Sequence, residues 1–398
     1  MSDFPESWQL STLADVGEWK GGGTPSKAKP AYWKGEIPWV SPKDMKSDII
    51  RFSEDSINEI AISESSASLI PAGAILVVTR SGILRHTLPL AVAGRNLAIN
   101  QDLKAITVRP GIENSYVFQY MKSNSQDILD SCMKSGTTVE SIETSQLKNF
   151  PIPIPPLPEQ KKIAEILSGI DTAINKIATA IVKSDTALTG IFAELDLIAA
   201  AGKISTLGEI ARVQNGYAFQ SSIFTEDSAG IPLVRISNIS GGLVDTSKSK
   251  RIPQTLAALG EYKVSRGDIL IAMSGATTGK IGIYHGSSFC LLNQRVGKFV
   301  FRPGSKSIAY ATQLLLSGFL ESRILAKAAG GAQPNISGKG IEAIEIPFPD
   351  TAEQDKYAIT IQEFLRVNAK RRILMEKYQH LKSALSSDLL SGRKRVSI

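Results

Sequence analysis

Apolar residues recur in alternating steps of four and three along one stretch in the middle of the chain. The series begins at Ile163 and ends at Leu195, with Ser184 as its one polar position. This spacing predicts a long helix that pairs with a second helix, as in a coiled coil. At about 1.5 Å per residue, such a helix would be roughly 55 Å long. The residues expected at the helix-pairing surface are Ile163, Leu167, Ile170, Ile174, Ile177, Ile181, Leu188 and Ile191.

A second, less regular apolar series near the C-terminus predicts the partner helix in the same chain. Asn368 and Arg371 occupy positions where apolar residues are expected, and polar residues in such a seam can fix the register of pairing. Each series follows a proline-rich stretch that ends in Glu-Gln, at 151–160 and at 346–354. Prolines disfavour a helix before that point, and the glutamate suits a helix N-terminus. The expected pairing residues of the second helix are Tyr357, Ile361, Phe364, Leu374, Tyr378, Leu381 and Leu385.

The two halves of the chain repeat one another with an offset of 194 residues. Gly22 corresponds to Gly216 and Glu159 to Glu353, and a one-residue deletion makes the offset 193 between residues 81 and 110. A register kept over half a chain indicates a tandem duplication, hence a pseudo-dimer and not a solenoid. We therefore expect an α+β fold with two homologous mixed α/β domains. Two long antiparallel coiled-coil helices would separate them about a pseudo-two-fold axis.

The repeat also predicts where the segments of the chain begin and end. Short β-rich runs punctuated by glycine and proline fill the part before each long helix, which indicates a globular domain there. The predicted segments are a first domain at 1–155, a first spacer helix at 156–198, a second domain at 203–350 and a second spacer helix at 351–392.

Composition adds a cellular expectation and an electrostatic one. The chain of 398 residues is 42% hydrophobic and 21% charged, as in soluble proteins of two or more domains. It shows no membrane-length apolar run, no signal-peptide pattern and no disulfide framework in its two cysteines, so we expect a cytoplasmic protein without a membrane partner.

Residues 1–200 carry 19 basic and 23 acidic side chains, whereas residues 201–398 carry 26 basic and 15 acidic ones. The second half therefore has the charge of a polyanion-binding protein.

The sequence offers little support for catalysis or for a bound metal. The three histidines, His86, His285 and His380, have no metal-ligand spacing with other residues. The run Ser274–Ile281 resembles a phosphate-binding loop, but its glycines are one residue too close and an isoleucine replaces the magnesium-binding hydroxyl. We expect a non-catalytic protein with no metal site.

Polar, glycine-containing stretches at matched places in the two domains are the candidate binding residues. Arg, Lys, Asn and Gln can bind base edges, and Ser and Thr can anchor phosphates. The framework matches between the halves while these side chains differ, which suits two domains that recognise different short DNA sequences. The expected DNA-binding residues of the first domain are Lys20, Thr24, Ser26, Lys27, Ser41, Lys43, Arg80, Ser81, Arg85, Thr137 and Thr138. Those of the second domain are Asn215, Tyr217, Arg235, Asn238, Ser274, Thr277, Thr278, Lys280, Arg295, Gln333 and Asn335.

The opening Pro5-Glu-Ser-Trp8, the run Gly22-Gly-Thr-Pro-Ser26 and the two proline-rich stretches ending at Gln160 and Gln354 carry a family resemblance. Together they resemble the specificity subunit of type I restriction-modification enzymes over essentially the whole chain. The resemblance implies a subunit that recognises a bipartite double-stranded DNA target, one half per domain. It implies two adenine methyltransferase subunits as partners, and restriction subunits that can join them. S-adenosylmethionine, ATP and Mg are then expected on those partner subunits, and no cofactor on this chain.

Two other interpretations stay open at this point. The chain could be a coiled-coil scaffold whose duplicated domains bind proteins, an alternative that the acidic first half permits. It could also be a solitary specificity subunit that redirects a host methyltransferase.

Overall fold

The computed structural model describes residues 4–134, 139–225, 227–305, 307–328 and 334–397. The chain forms two compact units, Met1–Ala178 with Ile373–Ile398 (unit 1) and Thr179–Arg372 (unit 2). Each unit holds one globular portion and one part of each of the two long helices. The units group residues by packing, whereas the four predicted segments describe their order along the chain.

Unit 1 begins with short strands joined by turns and ends in a long helix. Its strands are β1 (Gln9–Thr12), β2 (Gly17–Gly21), β3 (Trp33–Val40), β4 (Ile49–Ile50), β5 (Asp55–Ile57), β6 (Leu69–Ile70), β7 (Ile75–Val78), β8 (Leu90–Ala93), β9 (Leu97–Ile99), β10 (Leu103–Val108) and β11 (Pro151–Ile154). Its helices are α1 (Glu59–Glu64), α2 (Asn114–Ser123), α3 (Ser125–Cys132), α4 (Thr144–Lys148) and the first part of α5 (Leu157–Ala200).

Unit 2 repeats this order of elements. Its strands are β12 (Ile204–Thr206), β13 (Ala211–Asn215), β14 (Ile231–Val234), β15 (Ile239–Ser240), β16 (Gly242–Val244), β17 (Arg251–Ile252), β18 (Lys263–Val264), β19 (Ile269–Ala272), β20 (Ile281–Tyr284), β21 (Cys290–Leu292), β22 (Val296–Phe301) and β23 (Glu345–Pro347). Its helices are α6 (Leu207–Ile210), α7 (Ile308–Leu316), α8 (Glu321–Ala328), α9 (Gly338–Glu342) and the first part of α10 (Thr351–Leu390).

The sheets of the two units share one topology. Unit 1 has a five-stranded sheet of order β2-β10-β7-β8-β4 and a four-stranded sheet of order β5-β3-β9-β6. Unit 2 has the equivalent sheets β13-β22-β19-β20-β16-β15, with β15 as an additional edge strand, and β17-β14-β21-β18. In both units the first strand pairs with the proline-rich strand before the long helix, as β1-β11 and β12-β23. The expected duplication of a mixed α/β domain is confirmed.

The start of each long helix is anchored by the same two hydrogen bonds. Tyr116 Oη donates to the carbonyl of Pro153 over 2.7 Å, and Tyr310 Oη donates to Pro347 over 3.0 Å. In the same way the buried amides of Gln160 and Gln354 donate back to the carbonyls five residues earlier, over 2.8 and 2.7 Å. Prolines leave these carbonyls without helical partners, so a glutamine side chain satisfies one of them.

The two long helices pair antiparallel within each unit. In unit 1, Lys382 Nζ lies 2.6 Å from Asp171 Oδ1, and Arg395 binds Glu159. Residues earlier in α5 thus contact residues later in the C-terminal segment, so the two helices run in opposite directions. Five of the eight expected pairing residues of α5 are buried, namely Ile163, Leu167, Ile170, Ile181 and Leu188. The other three, Ile174, Ile177 and Ile191, are partly buried, and Ser184 and Leu195 of the same apolar series are buried as well.

Polar contacts set the register of the helix pair in unit 2. Asn368 Nδ2 donates to Asp185 Oδ1 over 2.7 Å, and Arg371 Nη1 donates to the carbonyl of Ala180 over 3.1 Å. Tyr357 Oη lies 3.4 Å from Glu194 Oε2. The two polar residues that interrupt the second apolar series thus lie at the helix contact and bind the partner helix.

The structure corrects two of the expected pairing positions on α10. Leu374 and Leu381 are 44% and 45% exposed. Met375 and Lys382 are partly buried one position later. Arg371 and Lys382 contact α5, so the side of α10 that faces α5 lies one residue beyond each leucine.

Candidate nucleic-acid interface

Loops that follow different strands of unit 1 meet around the turn 100–102 between β9 and β10. The backbone N–H of Gly23 donates to Ile99 O over 3.0 Å, and that of Asn100 donates to Val40 O over 2.9 Å. The N–H of Thr79 donates to Asp102 O over 2.8 Å. These bonds bring residues 22–27, 41–44, 79–86 and 100–102 together, and we call this set the first loop cluster.

The same arrangement recurs in unit 2 around the turn 293–295. Asn293 N donates to Val234 O over 3.1 Å, Tyr217 N to Leu292 O over 2.9 Å, and Met273 N to Arg295 O over 2.9 Å. Ile336 N donates to Met273 O over 2.9 Å and adds a further loop. Residues 215–217, 235–238, 274–280, 293–295 and 334–337 form the second loop cluster.

Two matched glycines permit the close approach of chain segments in these clusters. A Cβ atom at Gly22 would lie 2.0 Å from the carbonyl oxygen of Ile99. A Cβ atom at Gly216 would lie 2.2 Å from that of Asn293. Any side chain would therefore separate the strand-end loop from the central turn.

Several expected contact residues of unit 1 form hydrogen bonds with other residues of the unit. Thr24 Oγ1 donates to Gln101 Oε1 over 2.5 Å, Ser41 Oγ donates to Asp44 over 2.9 Å, and Lys20 Nζ to Leu69 O over 3.2 Å. Ser81 Oγ accepts from the N–H of Ile83. Ser26, Lys27 and Arg80 are exposed or partly exposed at the surface, and Thr137 and Thr138 lie outside the described residues.

Ion pairs occupy two basic side chains of the first loop cluster. Lys43 Nζ lies 3.0 Å from Asp55 and 3.1 Å from Glu54, and both hydrogen bonds raise the pKa of the lysine. Arg85 binds Glu140, and this hydrogen bond holds the pKa of the glutamate below its ordinary value. Both pairs are solvent-accessible, so they can exchange for a phosphate at low energetic cost.

Several expected contact residues of unit 2 have no side-chain partner among the described residues. They line a pocket of about 440 Å³ that contains Asn215, Ser274, Arg295 and Asn335. Of the others, Lys280 Nζ lies 2.5 Å from Glu321 Oε1 and Thr278 Oγ1 donates to Gly275 O over 2.7 Å. Asn238 Oδ1 accepts from Arg235 N, and Tyr217 packs on Phe219 and Tyr262. Gln333 lies outside the described residues, and Thr277 lies on the turn beside the pocket.

The expected list omitted some residues that the fold brings to this site. Gln294 and Ser337 line the pocket, and Ser337 Oγ also accepts from Gly340 N over 3.0 Å at the start of α9. The acidic partners Glu140 and Glu321 are 55 and 41 residues from the basic groups they bind. Local spacing cannot reveal such pairs, because they depend on how the loops meet.

The described part of the chain contains no group of three or more His, Cys, Asp or Glu side chains placed to hold a metal ion. Within the same residues, every helix is too short or too polar to cross a membrane.

Comparison with known proteins identifies the family. The sequence profile of the type I restriction modification DNA specificity domain matches residues 5–183 and again residues 202–376. The chain belongs to this family. The two matches fall on the two copies of the internal repeat, so the duplicated framework is a family feature.

Curated relatives are specificity subunits of type I restriction enzymes. The EcoR124I/EcoR124II specificity subunit of Escherichia coli is 44% identical over 170 residues, which are 42% of each chain. The MjaIX specificity subunit of Methanocaldococcus jannaschii is 32% identical over 263 residues, 60% of each chain. These two alignments thus span about half the length of the relatives. The MjaVIII specificity subunit of the same archaeon is 25% identical over 420 residues, covering 98% of this chain and 94% of the relative.

Solved structures show the same fold. The crystal structure of a type I restriction-modification S subunit from M. genitalium superposes with a TM-score of 0.63 at 17% identity, covering 98% of this chain and 96% of that one. A chain from a structure of complex assembly and conformational transition of the type I R-M system has a TM-score of 0.51 at 16% identity. The expected fold of two homologous mixed α/β domains with two long antiparallel helices is confirmed.

Proposed function

We propose that this chain is the DNA sequence-specificity subunit of a type I restriction-modification system. Each unit would bind one half of a bipartite double-stranded DNA target through its loop cluster. The observation that carries the proposal is the repetition of one loop scaffold with different polar side chains. The turn 100–102 and the turn 293–295 make equivalent backbone contacts, yet Asp102 stands in one where Arg295 stands in the other. Such a pair of sites suits two unlike half-targets.

The proposal assigns this chain recognition and leaves catalysis to its partners. Two adenine methyltransferase subunits would dock on it, and restriction subunits would join them. S-adenosylmethionine, ATP and Mg would then be held by those subunits. The family membership and the names of the relatives support this division of labour, and the two paired helices would set the distance between the half-targets.

Methyladenine mapping tests the proposal directly. The chain is co-expressed with the methyltransferase subunit of its own system in a host that lacks adenine methylation, and the genome of that host is sequenced. A single bipartite motif with an unread spacer is the expected result. Methylation that is absent, or that follows a continuous motif, would contradict it. Replacing residues 203–350 with the matching segment of a relative should change one half of the motif and leave the other half unchanged.

A binding assay separates DNA recognition from a scaffold role. The chain with its methyltransferase partner should retain duplex DNA on a filter, and retention should fall steeply as salt rises, because phosphate contacts release counterions. Retention that is absent at low salt would favour a scaffold that binds proteins.

A further inference from the structure

The pocket of the second loop cluster is lined by polar groups that the fold leaves without partners. Asn215, Gln294, Arg295 and Asn335 are partly or fully exposed around its volume of about 440 Å³. Their side-chain polar atoms make no hydrogen bond or ion pair with any residue that the structure describes. Together they offer one guanidinium and three amides to an incoming molecule.

A buried hydroxyl in the same pocket also lacks a partner. Ser274 is 8% exposed, and its Oγ has no hydrogen-bond partner within the described ranges. The same holds for Thr277 Oγ1 on the adjoining turn and for Nε of Arg235, which lies on the loop that packs against that turn. Buried polar groups in folded proteins are almost always hydrogen-bonded. The unmet bonding capacity of Ser274 therefore indicates a partner that arrives from outside the described fold.

The composition of the pocket selects one kind of base. An arginine fork matches O6 and N7 of guanine, and an asparagine or glutamine amide matches N6 and N7 of adenine. Recognition of the cytosine amino group uses a carboxylate, and neither Asp nor Glu is among the residues that line the pocket. Both available patterns therefore match the major-groove edge of a purine.

The matching positions of unit 1 are already occupied by internal bonds. Asp102 stands where unit 2 has Arg295, and its Oδ2 accepts from Asn100 Nδ2 over 2.9 Å. Gln101, the counterpart of Gln294, binds Thr24. Ser81, the counterpart of Ser274, caps the turn that follows it. A base that enters the first loop cluster must therefore displace bonds that the second cluster does not have.

We propose that the pocket of unit 2 is a base-recognition site for a purine, that Arg295 contacts guanine there, and that unit 2 supplies most of the affinity for DNA. The inference rests on the proposed function and gives the site its ligand class. The charge of the units supports the same assignment: unit 2 carries 22 basic and 16 acidic side chains, whereas unit 1 carries 23 basic and 22 acidic ones. Unit 2 then binds its half of the DNA target first, and unit 1 adds recognition of the other half.

The test measures base preference at each position of the motif with the full chain and its methyltransferase partner. Once the motif is mapped, a plasmid library randomises each position in turn, and the methylated fraction is read for wild type and for Arg295→Ala. The expected result is loss of guanine preference at one position of one half-target, by about 10- to 100-fold. Arg266→Ala is the matched control, since Arg266 is an exposed arginine of unit 2 outside the pocket.

A second variant separates recognition of the base from charge alone. Arg295→Lys keeps the positive charge but loses the planar fork, so it should relax the same position while the salt dependence of binding stays close to wild type. If the alanine variant keeps the guanine preference, Arg295 does not contact guanine, and if it weakens binding to all sequences equally, Arg295 contacts phosphate; either result overturns the inference. If wild type yields no bipartite motif, the proposed function fails instead.

The affinity claim has its own measurement in the same system. Duplexes that carry only the half-target of unit 2, or only that of unit 1, are compared by filter binding at one salt concentration. Retention of the first should exceed that of the second at least tenfold. Equal retention, or the reverse order, would overturn the assignment of most of the affinity to unit 2.

Discussion

Lys382 Nζ and Asp171 Oδ1 lie 2.6 Å apart in unit 1, and both side chains are about one-seventh exposed. The equivalent positions in unit 2, at the offset of 194 residues, hold Leu188 and Leu365. Both leucines belong to the hydrophobic core of unit 2 or pack against it. One contact between the long helices is therefore ionic in one copy of the repeat and apolar in the other.

Lys122 also belongs to this ionic contact, and a leucine replaces it in unit 2 as well. Lys122 Nζ on α2 lies 3.5 Å from Asp171 Oδ2, and Gln119 also donates to that carboxylate over 2.9 Å. Leu316 on α7 takes the place of Lys122 in unit 2 and packs against its core. A buried ion pair adds little net stability over well-packed apolar residues, but removing one partner strands the other.

The first prediction follows from this exchange of three charged residues for three leucines. The triple variant Lys122→Leu, Asp171→Leu, Lys382→Leu should unfold with a free energy equal to that of wild type or about 1–4 kcal/mol higher. Asp171→Leu alone should be less stable by about 3 kcal/mol, because Lys382 then lies buried without a carboxylate. Urea unfolding followed by circular dichroism measures both. A triple variant as unstable as the single one would contradict the equivalence of the two contacts.

The second prediction concerns acid. Burial opposes ionisation of Asp171, but hydrogen bonds from Lys382 and Gln119 and the charges of both lysines outweigh it, and the pKa of Asp171 lies below its ordinary value. A carboxyl with a lowered pKa in the folded state stabilises the fold above the unfolded pKa of about 3.9 and loses this contribution as pH falls through the folded value. Wild type should therefore lose stability relative to the triple leucine variant below about pH 4. Urea midpoints between pH 2 and 6 give the comparison, and a difference that does not change with pH would count against it.

Heptad spacing and the repeated Glu-Gln signature were sufficient to place both long helices, since a continuous apolar seam and a proline boundary are local properties. The phase of α10 was not predictable at Leu374 and Leu381. Arg371 and Lys382 lie on the side of α10 that contacts α5, and the two leucines are one residue too early in the sequence to lie on that side. Polar residues at a helix contact can outweigh the apolar pattern, because each must reach its own partner.

The structure brings most of the loops with candidate contact residues together, but the bonding state of their side chains was not predictable. Thr24 and Arg85 have the residue types of nucleic-acid contacts, yet they bind Gln101 and Glu140, which are distant in sequence. Arg295 has the same chemistry and no partner among the described residues. Whether such a side chain already has a hydrogen-bond partner or is free to bind a ligand depends on how loops from separate strands pack together.

The third prediction tests a buried charge near the chain ends. Glu159 is fully buried, accepts from Trp8 Nε1 over 3.1 Å and binds Arg395, whose side chain is 47% exposed. Arg395→Ala leaves the buried carboxylate without its cation and should lower the stability measurably. Glu159→Gln should cost less, because the amide still accepts from Trp8 and the released arginine is hydrated.

Thermal unfolding of the two variants measures this order. Arg393→Ala serves as the control, since Arg393 pairs with Asp388 at the exposed surface and such a pair contributes little to stability. A stability loss for Glu159→Gln larger than that for Arg395→Ala would contradict the account.

The last prediction concerns the length of the paired helices. Insertion of one heptad after Ala178 in α5, and of a second heptad after Arg372 in α10, keeps the seam in phase and lengthens both helices by about 10.5 Å. With about 3.4 Å per base pair, the unread spacer of the methylated motif should grow by about three base pairs, while both half-targets stay the same. A heptad in α5 alone moves Asp171 and Asp185 seven residues farther apart while Lys382 and Asn368 keep their spacing, so the two pairs cannot form together, and this control should lose methylation altogether. A doubly lengthened chain that still methylates the original spacing would show that the helices do not set the distance between the half-targets.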